Sequence, residues 1–316
     1  MNVLGVARWT VLEARRRRLL LAGVVLSIAF VVLFAVGFAL LYRTQQRDLL
    51  SAQAQGIGPP GGIDAQGELL AMSTILVVLG LYGVQFLAVL LGLFLGVASV
   101  SPEIDSGALH AVLARPLSRL QYLLGRFLAL AGLLTASVVV MSGALLLTAR
   151  VVADYQPGDP AKVVGLMILQ VCILLAVSLL GSTVLPTLAN GVVMLALFGL
   201  AWLGGIIGFI GSIPPGNELM ANLGTAVSLL LPADAVWRGA SFHVLPPSLL
   251  AAQSFTGGED IQLPFGSTTP IAPAMLAWAV AYPVACLALA MAAFRGSGTS
   301  MLSSAFEKLS IPPCST

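Results

Sequence analysis

The stretch VVGLMILQVCILLAVSLLGSTVLPTLANGVVMLALFGLAWLGGIIGFIGSIPPGN, residues 163–217, contains no Asp, Glu, Lys or Arg. As a single helix it would be about 80 Å long at about 1.5 Å per residue, against about 30 Å for the hydrocarbon core of a bilayer. Pro186 and the Asn190-Gly191 turn signal divide it into residues 163–185 and 192–213, each long enough for one crossing.

Outward from this stretch lie four further uncharged runs, at residues 19–42, 69–102, 127–149 and 261–294. Each holds one span. The expectation is a single transmembrane domain over residues 1–316, with spans at about 19–42, 72–100, 127–149, 163–185, 192–213 and 272–294. Composition agrees: 58% of residues are hydrophobic, 9% are charged and the mean hydropathy is +1.00, where an ordinary soluble domain is about 25% charged. The apolar runs are long and continuous rather than alternating, which excludes a membrane β-barrel. The fold class expected is an all-α membrane protein with six transmembrane helices.

Basic residues set the orientation. Arg8 and Arg15 to Arg18 precede the first span and place the N-terminus in the cytoplasm by the positive-inside rule. Alternation then puts ten basic residues and four acids on the cytoplasmic side, and five basic residues and nine acids on the other. The C-terminus is cytoplasmic as well. The first apolar run exceeds the roughly 7 to 15 residues of a signal-peptide core, so it reads as a retained span.

Before that span, Leu4, Ala7, Val11 and Leu12 recur at helical spacing beside Arg8 and Glu13, with Trp9 suited to the headgroup level. This reads as an interfacial helix. Residues 43–68, rich in Gln, Gly and Pro, read as a flexible extracytoplasmic loop. On the same side, residues 214–260 are punctuated by proline, and the apolar piece at 219–231 is too short to span. Short surface or re-entrant helices are expected there.

One interruption stands out in a chain so poor in charge. Between spans two and three run Ser101-Pro102-Glu103-Ile104-Asp105, Gly107, Leu109, Leu113, Arg115-Pro116, Ser118-Arg119, Tyr122 and Gly125-Arg126. Burying Glu103, Asp105, Arg115, Arg119 and Arg126 in lipid would cost at least on the order of 12 kcal/mol, so the segment lies outside the hydrocarbon. Ser101, Pro102 and Glu103 suit a helix start. Pro116 stops that helix, and Ser118 with Gln121 forms a capping box for the next. The expected unit is a short amphipathic helix, a proline bend and a helix leading into span three. A second protein would grip the chain here.

The pattern Glu103, Gly107, Leu109, Leu113, Arg115-Pro116, Ser118-Arg119, Tyr122, Gly125-Arg126 resembles the first cytoplasmic loop of ABC-2 type permeases. The resemblance is closest to the branch containing the permease of the nitrous-oxide-reductase maturation system. Leu231-Pro232-Ala233-Asp234 and Trp237-Arg238-Gly239 resemble that family's late loop less specifically. The resemblance implies that the charged loop carries a coupling helix docking on a separate ATPase subunit. It further implies an exporter with two ATPase copies and a second permease copy, either identical or paralogous. The expected location is a cell membrane, the prokaryotic inner membrane, with lipids as neighbours and no role for nucleic acid.

The remaining residues fit a non-catalytic subunit. No Gly-x-x-x-x-Gly-Lys-Ser/Thr occurs and neither Lys162 nor Lys308 follows a glycine, so no P-loop is present. No directly bound cofactor is expected; ATP and Mg would enter through the partner. Gly92 with Gly96 and Gly204 with Gly208 are small-x-x-x-small pairs, open to dimer packing or to packing within the subunit. Gln85 and Gln170 read as helix-to-helix hydrogen bonders, with Asn190 at a helix end.

Among the alternatives, a secondary transporter lacks the intramembrane charge its coupling needs. An intramembrane enzyme lacks a paired acid, and His110 and His243 both fall outside the spans. A membrane assembly or scaffold protein using the same loop for docking without transport stays open. Nothing in the sequence names a substrate.

Overall fold

The computed structural model describes residues 5, 6, 8, 10, 12, 18–55, 65–105, 119–212, 218–255 and 266–309. Helix dominates and no strand occurs among them. The long helices are α1 (Arg18–Ala54), α2 (Ala65–Asp105), α3 (Arg119–Ala153), α4 (Pro160–Val184) and α5 (Thr187–Ser212). Three short ones follow, α6 (Glu218–Leu230), α7 (Ala233–Phe242) and α8 (Pro247–Phe255), and then the long α9 (Pro273–Leu309). The long helices α1 to α5 and α9 are apolar enough to cross a membrane, which makes the six spans expected.

Register follows from contacts that step along the helices. A Cβ on Gly23 would stand 2.8 Å from Leu91, Gly83 faces Phe30, Gly80 faces Phe34, and Gln45 donates to Glu68 at 3.0 Å. These pairs run in opposite senses, so α1 and α2 are antiparallel. Gln85 donates to the Met167 carbonyl and Ser178 to that of Leu93, in the same sense along both chains, so α2 and α4 are parallel. One end of the bundle therefore carries the 105–119 connection. The other carries the 153–160 turn and α6 to α8.

Helix α4 lies at the centre, packed by α2, α3, α5, α7 and α9, whereas α1 packs on α2 and α3 at the edge. Asp159 caps α4: its carboxylate accepts from the Lys162 backbone N–H at 3.2 Å and pairs with the Lys162 ammonium at 3.0 Å. Pro160 follows at a position where its missing N–H costs nothing. Helix α3 ends before Asp154, which is left-handed at φ 49°, and the Tyr155 N–H closes back on Ala149 at 3.3 Å.

Several boundaries differ from expectation. The break between the fourth and fifth spans falls at Leu185-Pro186 alone, because proline drives Leu185 into extended geometry (φ −109°, ψ 146°). Asn190 and Gly191 lie inside α5, where the Asn190 amide donates to the Ser178 carbonyl at 3.1 Å instead of making a turn. Helix α1 continues to Ala54 through the segment read as a flexible loop, since no Gly or Pro interrupts it before Gly56. Helix α2 likewise runs through Ser101-Pro102-Glu103 to Asp105 rather than restarting at Ser101. Extending an existing helix avoids the cost of a new nucleus.

Of the N-terminal segment, the described positions are helical, with Val6 and Thr10 buried and Leu12 exposed.

Candidate functional site

The two ends of the charged loop lie in firm helix. Helix α2 carries Glu103 in its last turn, and α3 begins at Arg119, one residue beyond Ser118. Gly107, Leu109, Leu113, Arg115, Pro116 and Ser118 lie outside the described residues, as does the expected coupling helix. Gly125 is buried. Arg126, expected among the docking residues, is only 2% exposed, with its guanidinium 5.3 Å from the centre of the Tyr122 ring. Its charge is used inside the chain rather than on its surface.

The four interface glycines also have partners within the chain. A Cβ on Gly92 would stand 3.2 Å from Leu134, and one on Gly96 would stand 2.6 Å from the Ser178 hydroxyl. Gly204 faces Val227. A Cβ on Gly208 would lie 3.4 Å from the Gly224 backbone, and one on Gly224 only 2.6 Å from that of Gly208. These positions on α2 and α5 thus admit close approach of α3, α4 and α6 within the subunit.

The Gly204, Gly208 and Gly224 contacts fold α6 back along the last turns of α5. Its terminal carbonyls are satisfied by α9: the Trp278 indole donates to Leu229 at 3.0 Å and the Tyr282 hydroxyl to Leu230 at 2.7 Å. Helix α7 follows and enters the bundle. Trp237 is buried, its ring 5.1 Å from that of Tyr82, which stands well inside α2.

The charge pair on α7 is the feature that sequence reading undervalued. Arg238 donates through Nε to Asp234 at 2.8 Å and through Nη2 to the Gly205 carbonyl of α5. Gly205 meets the Asp234 carboxylate so closely that no side chain fits there. Burial pushes the Asp234 carboxyl up from its ordinary value while Arg238 pulls it down. The i, i+4 spacing of Asp and Arg around a Trp, in a chain so poor in charge, was the available signal.

The 153–160 turn holds this end from the outside. The Tyr155 hydroxyl donates to Val244 at 2.6 Å and the Asp159 N–H to His243 at 3.0 Å. Burial and then Lys162 lower the His243 imidazole from its ordinary value, against the pull of Asp159.

Between α2, α4, α5 and α7 lies a cavity of about 20 Å³. Gln85 and Gln170 line it at 2% and 5% exposure, and neither Oε1 has a hydrogen-bond partner. The Gln85 amide donates to Met167 at 3.4 Å, the helix-to-helix bond expected of it. Asp234 also lines the cavity, together with the aromatic rings of Tyr82, Phe86, Phe198, Trp202 and Trp237, of which Phe86 and Trp202 are exposed.

Six apolar helices, most of them continuing past the width of a bilayer, with polar contacts turned inward, define a multi-pass membrane protein. The family model described as ABC-2 family transporter protein matches residues 11–298. The chain belongs to that family and is a permease component of a transporter, a class that in general works with a partner ATPase. A comparison with curated proteins gives no match.

Proposed function

We propose that this chain is the membrane-spanning subunit of an ATP-driven ABC-2 exporter, in the branch containing the nitrous-oxide-reductase maturation permease. It couples ATP hydrolysis by a separate nucleotide-binding subunit to substrate translocation or mechanical work. The observation that carries the reading is the family match over residues 11–298. In this reading two permease copies and two ATPases assemble in a prokaryotic inner membrane with both termini cytoplasmic. The chain binds no cofactor of its own, and ATP and Mg act on the partner.

The loop from Glu103 to Arg126 is the receiving end. Its docking contacts come from Arg115 and Arg119, while Arg126 holds the base of α3. Closure of the ATPases on ATP moves the loop, and α2 and α3 carry the displacement because each is one unbroken helix on its side of it. Binding biases inward-facing against outward-facing states only through different affinity for the two.

Co-purification from the native membrane tests the reading. The expected result is recovery with an ATPase chain, and loss of that chain in Arg115→Glu or Arg119→Glu protein that still inserts and folds. Recovery as a monomer with no ATPase would overturn it. ATP turnover stimulated by the permease without vectorial movement of any substrate would select mechanical work.

A further inference from the structure

We propose that the cavity between α2, α4, α5 and α7 is a binding site for a single primary ammonium group, carried by a free amine or by a lipid headgroup. Three properties of the cavity choose this chemistry.

Size comes first. At about 20 Å³ the cavity has room for one water-sized group, and the exposed Phe86 and Trp202 at its wall leave a side open for the chain that carries that group. An ammonium head fits this space; a trimethylated head does not.

Polarity comes second. The oxygens of Gln85 and Gln170 are buried acceptors without donors, and the Asp234 carboxylate, which accepts from Arg238 through one oxygen, also lines the wall. Each buried acceptor left without a donor costs about 1–3 kcal/mol, so the site favours a group that donates. An ammonium group only donates, and it has three hydrogens to give. A water would satisfy two acceptors but would bring lone pairs of its own, and an anion would meet a carboxylate.

The walls come third. Tyr82, Phe86, Phe198, Trp202 and Trp237 present aromatic rings, whose faces attract a cation and offer a neutral water little. Some of these rings are locked in place. Trp202 hydrogen-bonds the Tyr82 hydroxyl, and Phe86 and Phe198 pack at 5.9 Å between centroids. The cage is therefore formed before any ligand enters.

The test uses the full chain in phosphatidylcholine nanodiscs and needs no ATPase, so its failure leaves the exporter reading standing. Methylammonium chloride is titrated against equal potassium chloride and tetramethylammonium chloride, reading tryptophan fluorescence from Trp202 and Trp237 and the thermal midpoint. The expected result is a saturable response to methylammonium alone, weakened at least about tenfold by Gln85→Leu or Gln170→Leu. Gln170→Leu should fold with an unchanged or raised midpoint in the absence of amine, because it removes an unsatisfied acceptor, whereas Gln85→Leu also gives up the bond to Met167 and is read against its own amine-free midpoint.

A second arm replaces phosphatidylcholine by phosphatidylethanolamine with no amine added. If that reproduces the response and blocks methylammonium, the headgroup is the occupant; if only methylammonium responds, the ligand is a free amine. No saturable response in either arm overturns the site. So does an equal response to potassium, or one that survives in the Gln85→Leu, Gln170→Leu double variant; either outcome leaves a cavity that holds water only.

Discussion

Helices α1 and α4 are alike as sequences and opposite as parts of the structure. Both contain an uncharged apolar run long enough to cross a bilayer, yet within an apolar window of 18 residues 6% of α1 is buried against 61% of α4. Leu21, Val25, Leu33 and Leu40 of α1 face outward, whereas Ile173, Leu174, Leu175 and Ala176 of α4 are buried. Hydropathy specifies entry into the membrane. It does not specify place within the bundle, since lipid tails and a protein interior are equally apolar.

The contrast has a direct test. Leu175→Ala should cost about 2–5 kcal/mol, because rigid neighbours leave a cavity behind, whereas Leu33→Ala should stay within about 0.5 kcal/mol. Reversible unfolding in mixed micelles reads both. An equally costly Leu33→Ala would break the comparison and show that another surface covers α1.

Arg238→Ala sharpens it on the side where α7 joins the buried helices. Loss of the hydrogen bonds to Asp234 and the Gly205 carbonyl should cost about 2 kcal/mol at neutral pH. Burial already holds the Asp234 carboxyl above its ordinary value, and removing Arg238 raises it further. A carboxyl raised on folding favours the folded state below its unfolded value and loses that advantage as pH rises through the folded value. The variant should therefore regain stability as pH falls, by more than the parent does. A loss independent of pH would mean that Arg238 acts through the Gly205 carbonyl alone.

Asp159→Ala gives the smallest effect, confined to the first turn of α4. Its carboxyl is held below the ordinary value by its hydrogen bonds and ion pair with Lys162, so the cap is complete above the usual carboxylate range and fades as pH falls through the lowered value. Amide exchange at Lys162 and Val163 should quicken in the variant at neutral pH and match the parent in acid. Unchanged exchange at neutral pH would show that Pro160 and the clasp on His243 suffice to hold the turn.

Much of this architecture was legible in the chain. Uncharged runs marked the six spans, and the proline at residue 186 marked the tightest turn. Boundaries were less legible, because Gly, Pro and Asn weaken a helix only when nothing else extends or anchors it. Asn190 belongs to α5 because Ser178 offers its amide a carbonyl from another helix. Of the site residues, Gln85 and Gln170 were visible as polar residues in apolar helices, but not that they face one cavity. Asp234 and Arg238 read as loop charges, and only the fold carries them in beside Tyr82 and Gly205.

The sequence by itself determined that this is a helical membrane protein with six spans, and it carried the loop pattern that resembles the family to which the chain belongs. Those properties depend on charge and apolar length along the chain, which local order records. Only the tertiary structure decided which apolar helix is central, which glycines are spent inside the subunit and which polar groups converge. Each of these depends on contacts between residues far apart in sequence, and in an apolar solvent composition gives no rule for which face turns inward.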